Sequence, residues 1–424
     1  MNRKYQTFRA ERLELGSLDP PSSVPRPSSS VLRPSSILRL VLLLLLLATS
    51  QAFAIVTLGV NSGAVRFSPA NWSGGAERGG GVSRVTWNNG AWCEWRWTTP
   101  ADHPAAELEI TNRTPGSAIS YFVDGTLVDD VSVPAAGSIP IQSLSGSGRH
   151  SLIVYTRNSQ QRARWSDENA FVVSGLMVDD GATALPAPAR RPWVFIVGDS
   201  ITEGILAANG ADSNLADYSF LVGQGLRAAG YDYSVSACGY SGWIRPGDAA
   251  GDVPAYFAVH DGKYVERESR WDKIDARTSL LDARHHLSGY GGKGEEPAAI
   301  VINYMANEAL SGANLADTRE SVMGCLAALR HAAPNAWILV LMPPGLYDTH
   351  VYRRGPAYVS VLKNGVGNYH AAHRSDRKTV LIDLGPAVAH ALASPLYGGG
   401  VHPNAAGHAF LAPLVLQAIL RCIR

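Results

Sequence analysis

Residues 194–204 read Val-Phe-Ile-Val-Gly-Asp-Ser-Ile-Thr-Glu-Gly, and no other stretch constrains the fold as much. Four apolar residues, rich in β-branched types, give the pattern of a buried parallel strand. The strand runs straight into Gly198-Asp199-Ser200, and the spacing predicts a helix after it. A serine at the C-terminal end of the first strand of an α/β sheet stands where such sheets bind ligands. Much later comes His402-Pro403-Asn404-Ala405-Ala406-Gly407-His408, just ahead of the last expected helix. A strand-end serine and a late histidine are the residue types of a nucleophile and its base.

From residue 193 onward the pattern alternates. Strands are expected at 193–197, 232–237, 298–303, 336–341 and 379–383, and helices at 217–229, 316–332, 357–373 and 404–421. Five strands separated by helices imply a three-layer α/β domain around a parallel sheet with right-handed crossovers. Residues 243–297 break that rhythm with Gly, Asp and Tyr and little periodicity. An insertion of this length in a compact domain is usually functional. It either covers the strand ends or is a surface excursion.

Residues 55–185 read as all-β. Alternating runs recur at Ala106–Ile110, Ser120–Val123, Ser151–Tyr155 and Phe171–Val173, separated by turn residues such as Asp124-Gly125 and Gly146-Ser147-Gly148. This spacing suits a small β-sandwich or jelly roll. Six of the ten tryptophans fall here: Trp72, Trp87, Trp92, Trp95, Trp97 and Trp165. The sandwich core is the first expectation for them, and stacking on sugar rings the second. Ala182–Pro192, rich in Ala, Pro and Arg, reads as a short stiff linker, so the expected domains are 55–185 and 186–424.

The first 54 residues are set apart from the fold. Pro, Ser and Arg dominate 19–36, Arg39 precedes the run Leu40–Leu47, and Ala52-Phe53-Ala54 follows. That is the layout of a secretory signal cleaved after Ala54, with a secreted or periplasmic product. An uncleaved anchor is the alternative. The apolar run is short for a membrane span. A formal net charge of +1 argues against a nucleic-acid partner or an anionic membrane surface. Cys93, Cys238, Cys325 and Cys422 lack C-x-x-C spacing, which speaks against zinc. Four small buried residues are the favoured reading, with a Cys325–Cys422 disulfide as the alternative.

The half from 193 to 424 resembles the SGNH, or GDSL-type, hydrolase superfamily, named for Ser, Gly, Asn and His on separate blocks in this order. The resemblance implies a flavodoxin-like sheet. Ser200 stands in the nucleophile block Gly198–Gly204, which is not the G-x-S-x-G elbow of an α/β-hydrolase. The glycine block is Cys238–Trp243, where Gly242 is the implied backbone donor to an oxyanion and Gly239 the second choice. The asparagine block, usually G-x-N-D, reads Met305-Ala306-Asn307-Glu308. Asn307 is the implied side-chain donor, a contribution on the order of 10²–10³ in rate. With the Ser200 N–H, these complete the expected oxyanion hole.

His402 takes the base role. Three residues before it, where the family carries aspartate, stands Gly399. An aspartate that fixes the histidine tautomer is worth about 10⁴ in rate. Three readings are open: a Ser–His dyad steadied by the carbonyl of Gly399 or Gly400, an acid from elsewhere such as Asp383, or weak or lost turnover. The dyad is ranked first. His408 is expected to pack on the last helix, and His285, His286 and His370 to lie on the surface. No metal motif, phosphate loop or dinucleotide fingerprint occurs, and Gly289–Gly294 reads as a loop, so neither cofactor nor metal is expected.

A β-sandwich ahead of such a domain resembles carbohydrate esterase family 2. Tyr121–Gly125, Gly148–Leu152 and Gly175–Asp179 are similar to strands of that family's front domain. The resemblance implies a secreted serine esterase acting on acylated, above all acetylated, carbohydrate or another small ester. A lipolytic esterase or acyltransferase and a carbohydrate-binding protein without turnover are the alternatives.

Overall fold

Alternation of burial builds the front sheets of the computed structural model, which describes residues 55–74, 82–160, 164, 166–245, 257–260, 263–266, 296–385 and 396–424. In Ala106–Thr111 every second side chain is buried, the mark of a strand with one face on a core. This strand joins Ser73–Gly74, Arg84–Thr86, Phe171–Asp179, Ile139–Pro140 and Ile55–Gly59 in one six-stranded sheet. The second sheet contains Thr183–Ala184, Trp92–Thr99, Gly148–Asn158, Ala118–Val123, Thr126–Ser132 and Val65–Phe67. All pairings in both are antiparallel. A cluster that includes Trp95, Trp97, Leu108, Tyr121, Leu152, Phe171 and Leu176 forms the main core of this half, with a smaller one around Val85, Trp87 and Ala170.

The second half is built on a parallel sheet. Its strands are β1 (Trp193–Gly198), β2 (Asp232–Ala237), β3 (Ala299–Asn303), β4 (Trp337–Leu341) and β5 (Thr379–Ile382). They lie in the order 2-1-3-4-5, in which the chain reverses direction across the sheet between β1 and β3. Such a switch point opens a crevice at the carboxyl ends of the strands. Every residue of β1, β2 and β3 is buried; β1 and β3 accordingly read as near-continuous apolar runs, whereas β2 alternates and buries Asp232, Ser234 and Ser236 as well. Among the described residues the α-helices are α1 (Ser200–Glu203), α2 (Tyr218–Ala228), α3 (Ala306–Ser311), α4 (Leu315–Ala332), α5 (Gly355–Ala372) and α6 (Ala405–Ile423). α2 packs on α6, and α4 on α5. The helix expected after Gly-Asp-Ser is one turn long; α2 begins only at Tyr218, where the Asp217 carboxylate caps the Phe220 N–H at 2.8 Å.

The expected linker is not a free spacer. Thr183 and Ala184 pair with Thr98 and Trp97, the Leu185 N–H donates to the Arg96 carbonyl, and the Ala187 N–H to that of Gly63. Backbone groups at the sheet edge take up the segment, because unpaired donors beside a sheet edge gain by joining it. Residues 53–424 form one compact unit. Trp92 and Tyr155, from the front half, belong to the same apolar cluster as Phe195, Tyr218, Phe220 and Tyr233, and the Trp92 indole N–H donates to the Tyr233 carbonyl at 2.9 Å. Beside it, buried Arg66 bonds both Glu94 and Asp232. Removing one member of such a buried set typically costs about 3–5 kcal/mol, because the partner charge is stranded.

Trp87, Trp92, Trp95 and Trp97 are all buried, so they serve as core; Trp72 is half-buried, its N–H on the Ser68 hydroxyl and the Trp92 carbonyl. All four cysteines carry free thiols, Cys93, Cys238 and Cys325 in the interior and Cys422 half-buried; Cys325 and Cys422 are not joined. Within the 243–297 stretch, Phe257–His260 and Lys263–Glu266 form an antiparallel hairpin. The rest of that stretch beyond Arg245 and before Glu296, with His285, His286 and Gly289–Gly294, lies outside the described residues, as do Trp165 and the segment 1–54.

Candidate active site

The chain turns sharply at the end of β1. A Cβ on Gly198 would collide with the Thr202 hydroxyl, so glycine alone permits the return. Asp199 then caps the single turn, its Oδ1 accepting the Ile201 N–H at 3.0 Å. Gly204 closes it in the left-handed conformation, φ 86°, where a Cβ would strike the Ser213 carbonyl. Ser200 occupies the first helical position, where a backbone N–H has no partner within the helix.

The other half of the pair comes from the far end of the chain. Tyr397–Gly399 and His402–Pro403 form a small antiparallel ladder, with Gly399 paired to His402. Asn404 follows, and its side chain caps α6 through the Gly407 N–H. The His402 Nε2 lies 2.9 Å from the Ser200 Oγ, within the reach a base needs to take a hydroxyl proton. Asp383, the acid considered for this histidine, is tied to other groups. Its carboxylate is engaged by Lys363 Nζ at 2.8 Å and the Tyr347 hydroxyl at 2.5 Å, since the end of β5 faces α5 there.

Asn307, on α3, donates from Nδ2 to the Ser241 carbonyl at 2.8 Å. One amide hydrogen is thereby fixed, and the other is left to point elsewhere. Ser200 and Asn307 are each 9% exposed, so both lie at the rim of the interior. Of the two glycines, Gly239 spends its N–H on Glu203 Oε2 at 2.6 Å, whereas the Gly242 N–H makes a longer bond, 3.2 Å, to the Arg245 carbonyl. A Cβ on Gly242 would run into the Glu308 carboxylate. Met305 adopts φ 124° and ψ −17°, a backbone that favours glycine and costs a side-chain-bearing residue about 1–3 kcal/mol. The chain thus keeps the glycine-type turn while burying a methionine in it.

Two carboxyls are enclosed beside the serine. Burial pushes Asp199 up to about 8, and the nearby Glu308 charge adds to this. Burial likewise pushes Glu308 up to about 7; its Oε1 accepts the Ile244 N–H at 3.1 Å. Between the ordinary Asp value of 3.8 and about 8, folded Asp199 holds a proton that the unfolded chain has released. Stability therefore falls as pH rises through that window. Asp199→Asn keeps an acceptor for Ile201 and should flatten the decline in urea midpoint between about pH 5 and pH 8; parallel pH curves for the two proteins would refute the assignment.

His408 is buried, stacked on Tyr218, and its Nδ1 accepts the Tyr218 N–H at 3.1 Å. Burial drives its pKa down to about 3, which suits a neutral capping group. The sequence reading missed Glu203, which lies in the nucleophile block itself. It also missed Arg164 and Asn89, whose approach to Glu203 leaves no local pattern.

A model of the GDSL-like lipase/acylhydrolase family matches residues 194–415. A search of curated proteins finds no significant match. Among solved structures, a family two carbohydrate esterase from Clostridium thermocellum in complex with cellohexaose is similar over 84% of this chain and 98% of its own, at 17% identity and a TM-score of 0.61. An acetyl xylan esterase from the rumen bacterium Butyrivibrio proteoclasticus is similar over 87% and 98%, at 14% identity and a TM-score of 0.58. A salicylyl-acyltransferase from a tetracycline biosynthetic pathway is similar over 88% and 100%, at 15% identity and a TM-score of 0.59. At these identities the likeness is one of fold.

Proposed function

The chain belongs to the GDSL-like lipase/acylhydrolase family, and on that premise we propose that it is a secreted serine esterase that removes acyl groups, acetyl first among them, from carbohydrate esters. The observation that carries the reading is the 2.9 Å approach of His402 Nε2 to Ser200 Oγ across 202 residues of chain. The fold shared with carbohydrate esterases supports the substrate class.

In this mechanism Ser200 Oγ attacks the ester carbonyl while His402 takes its proton. The tetrahedral oxyanion is met by the Ser200 N–H, the second amide hydrogen of Asn307 and the Gly242 N–H, which exchanges its long bond to Arg245 for the stronger charged acceptor. His402 returns the proton to the departing alcohol, and water cleaves the acyl-enzyme by the same steps. Gly239, committed to Glu203, takes no part. Gly399 replaces the family's aspartate, and the carbonyl of Gly399 or Gly400 steadies His402 in a Ser–His dyad. The proposal includes a signal segment cleaved after Ala54, a jelly-roll front domain over 55–185 and a three-layer α/β/α domain over 186–424.

The fold shared with an acyltransferase at a TM-score of 0.59 favours one second reading, transfer of the acyl group to an alcohol other than water. Acetate release from p-nitrophenyl acetate and acetylated xylan, beside butyrate and octanoate esters, tests the proposal. Turnover is expected on both acetyl substrates, declining with chain length. A maximum on octanoate would replace it with a lipolytic reading, ester formation with an added alcohol would replace it with acyl transfer, and polysaccharide binding without turnover would replace it with a binding role.

A further inference from the structure

Glu203 takes no part in the steps above, yet it is 1% exposed and lies three residues from Ser200. Its two oxygens face different halves of the molecule. Oε2 accepts the Gly239 N–H at 2.6 Å. Oε1 meets the Arg164 guanidinium and the Asn89 amide, the latter at 3.2 Å. Arg164 and Asn89 are 0% and 2% exposed, and both come from the β-rich half. The turn that carries Asn89 is itself fastened. The Gly90 N–H donates to the Thr156 carbonyl and the Thr156 hydroxyl to that of Asn88, while Gly90 presses so closely on Asn214 that a Cβ would lie 2.7 Å from its amide.

What Glu203 holds is the start of the Cys238–Gly242 loop. Farther along, the Ser241 hydroxyl bonds the Gly198 and Cys238 carbonyls, and Asn307 holds the Ser241 carbonyl. Between these anchors Tyr240 sits at φ 60°, 50% exposed, a conformation that a tyrosine keeps only where its neighbours enforce it. Glu203 is the anchor on the Gly239 side, and a buried carboxylate stays in place only if its charge is met.

We propose that Arg164 and Asn89, supplied by the β-rich half, are positioning residues for ester cleavage by the other half. They hold Glu203 so that its second oxygen fixes Gly239 and, through it, the loop that presents Gly242. This rests on the esterase reading. A displacement of about 1 Å in such a loop is worth about 10²-fold in rate, and its effect falls on kcat because the oxyanion contact forms in the transition state.

The test compares Arg164→Met/Glu203→Gln with Arg164→Met/Glu203→Leu. Neither leaves a stranded charge, and only glutamine can still accept the Gly239 N–H. Active sites are counted with a serine-reactive fluorophosphonate, p-nitrophenyl acetate gives kcat and KM, and deuterium exchange is followed over 237–243. The glutamine variant is expected to keep a kcat about tenfold or more above the leucine variant, with KM within about twofold and slower exchange in the loop. Asn89→Ala, which removes an uncharged side chain and leaves the Arg164–Glu203 pair in place, should lower kcat in the same direction by about threefold. Equal kcat per active site and equal exchange in the two double variants would overturn the proposal. If the unmodified protein cleaves no ester, the esterase reading fails instead, and the exchange comparison still decides whether Glu203 holds the loop.

Discussion

Ser200→Ala is expected to lower kcat on p-nitrophenyl acetate by about 10⁵–10⁶-fold with little change in KM. The hydroxyl lies at the tip of a turn fixed by Gly198, the Asp199 cap and Gly204, so alanine removes the attacking atom without disturbing its support. His402→Ala should cost about as much, and the double variant scarcely more, because the two act as one unit. Steady-state kinetics of the three variants, with circular dichroism as a check on folding, decide the matter. Additive losses, or a Ser200→Ala protein that keeps more than about a hundredth of its activity, would remove Ser200 from the nucleophile role.

Gly242→Ala carries the second large effect, a loss of about 10²–10³-fold in kcat. The φ of Gly242 is ordinary, so the cost does not come from its own backbone. It comes from the Glu308 carboxylate, which occupies the space a methyl group needs and holds the Ile244 N–H. Pushing that carboxylate away shifts the loop that bears the Gly242 N–H. Glu308→Asp, which restores the residue usual in the family's G-x-N-D block, shortens the obstacle. Gly242→Ala should therefore lose at least about fivefold less in the Glu308→Asp background, a coupling that a double-mutant cycle reads directly. Equal losses in both backgrounds would show that the methyl group acts elsewhere.

Much of this arrangement is legible in the sequence, and the reason differs from part to part. β1, β3 and β4 stand out because burial on both faces favours near-unbroken apolar runs, and the observed bounds of all five strands fall within a residue or two of those expected. Ser200 and His402 could be paired on residue type and order alone, and the structure brings them together. α3, which carries Asn307, spans six residues, too few to show a helical period. The turn after Ser200 is shorter still. Ala182–Pro192 has the composition of a spacer, yet its backbone groups bind a sheet edge, and composition does not record hydrogen bonding. Asp383 stands at the end of a strand as an acid partner would, but Lys363 on α5 holds it. Contacts such as Arg164 with Glu203 join a turn of the β-rich half to a helix of the other and leave no periodic trace.

The seam between the halves bears on how such a protein can be rearranged. Trp92 and Tyr155 complete an apolar cluster that the parallel sheet cannot close alone, and Arg66 carries charge across to Asp232. The hydrolytic half is accordingly not a portable cassette. Cutting it free at residue 186 would leave a hydrophobic wound and an aspartate stripped of its Arg66 ion pair, and grafting a foreign front module would require re-creating both the tryptophan plug and its arginine counter-ion.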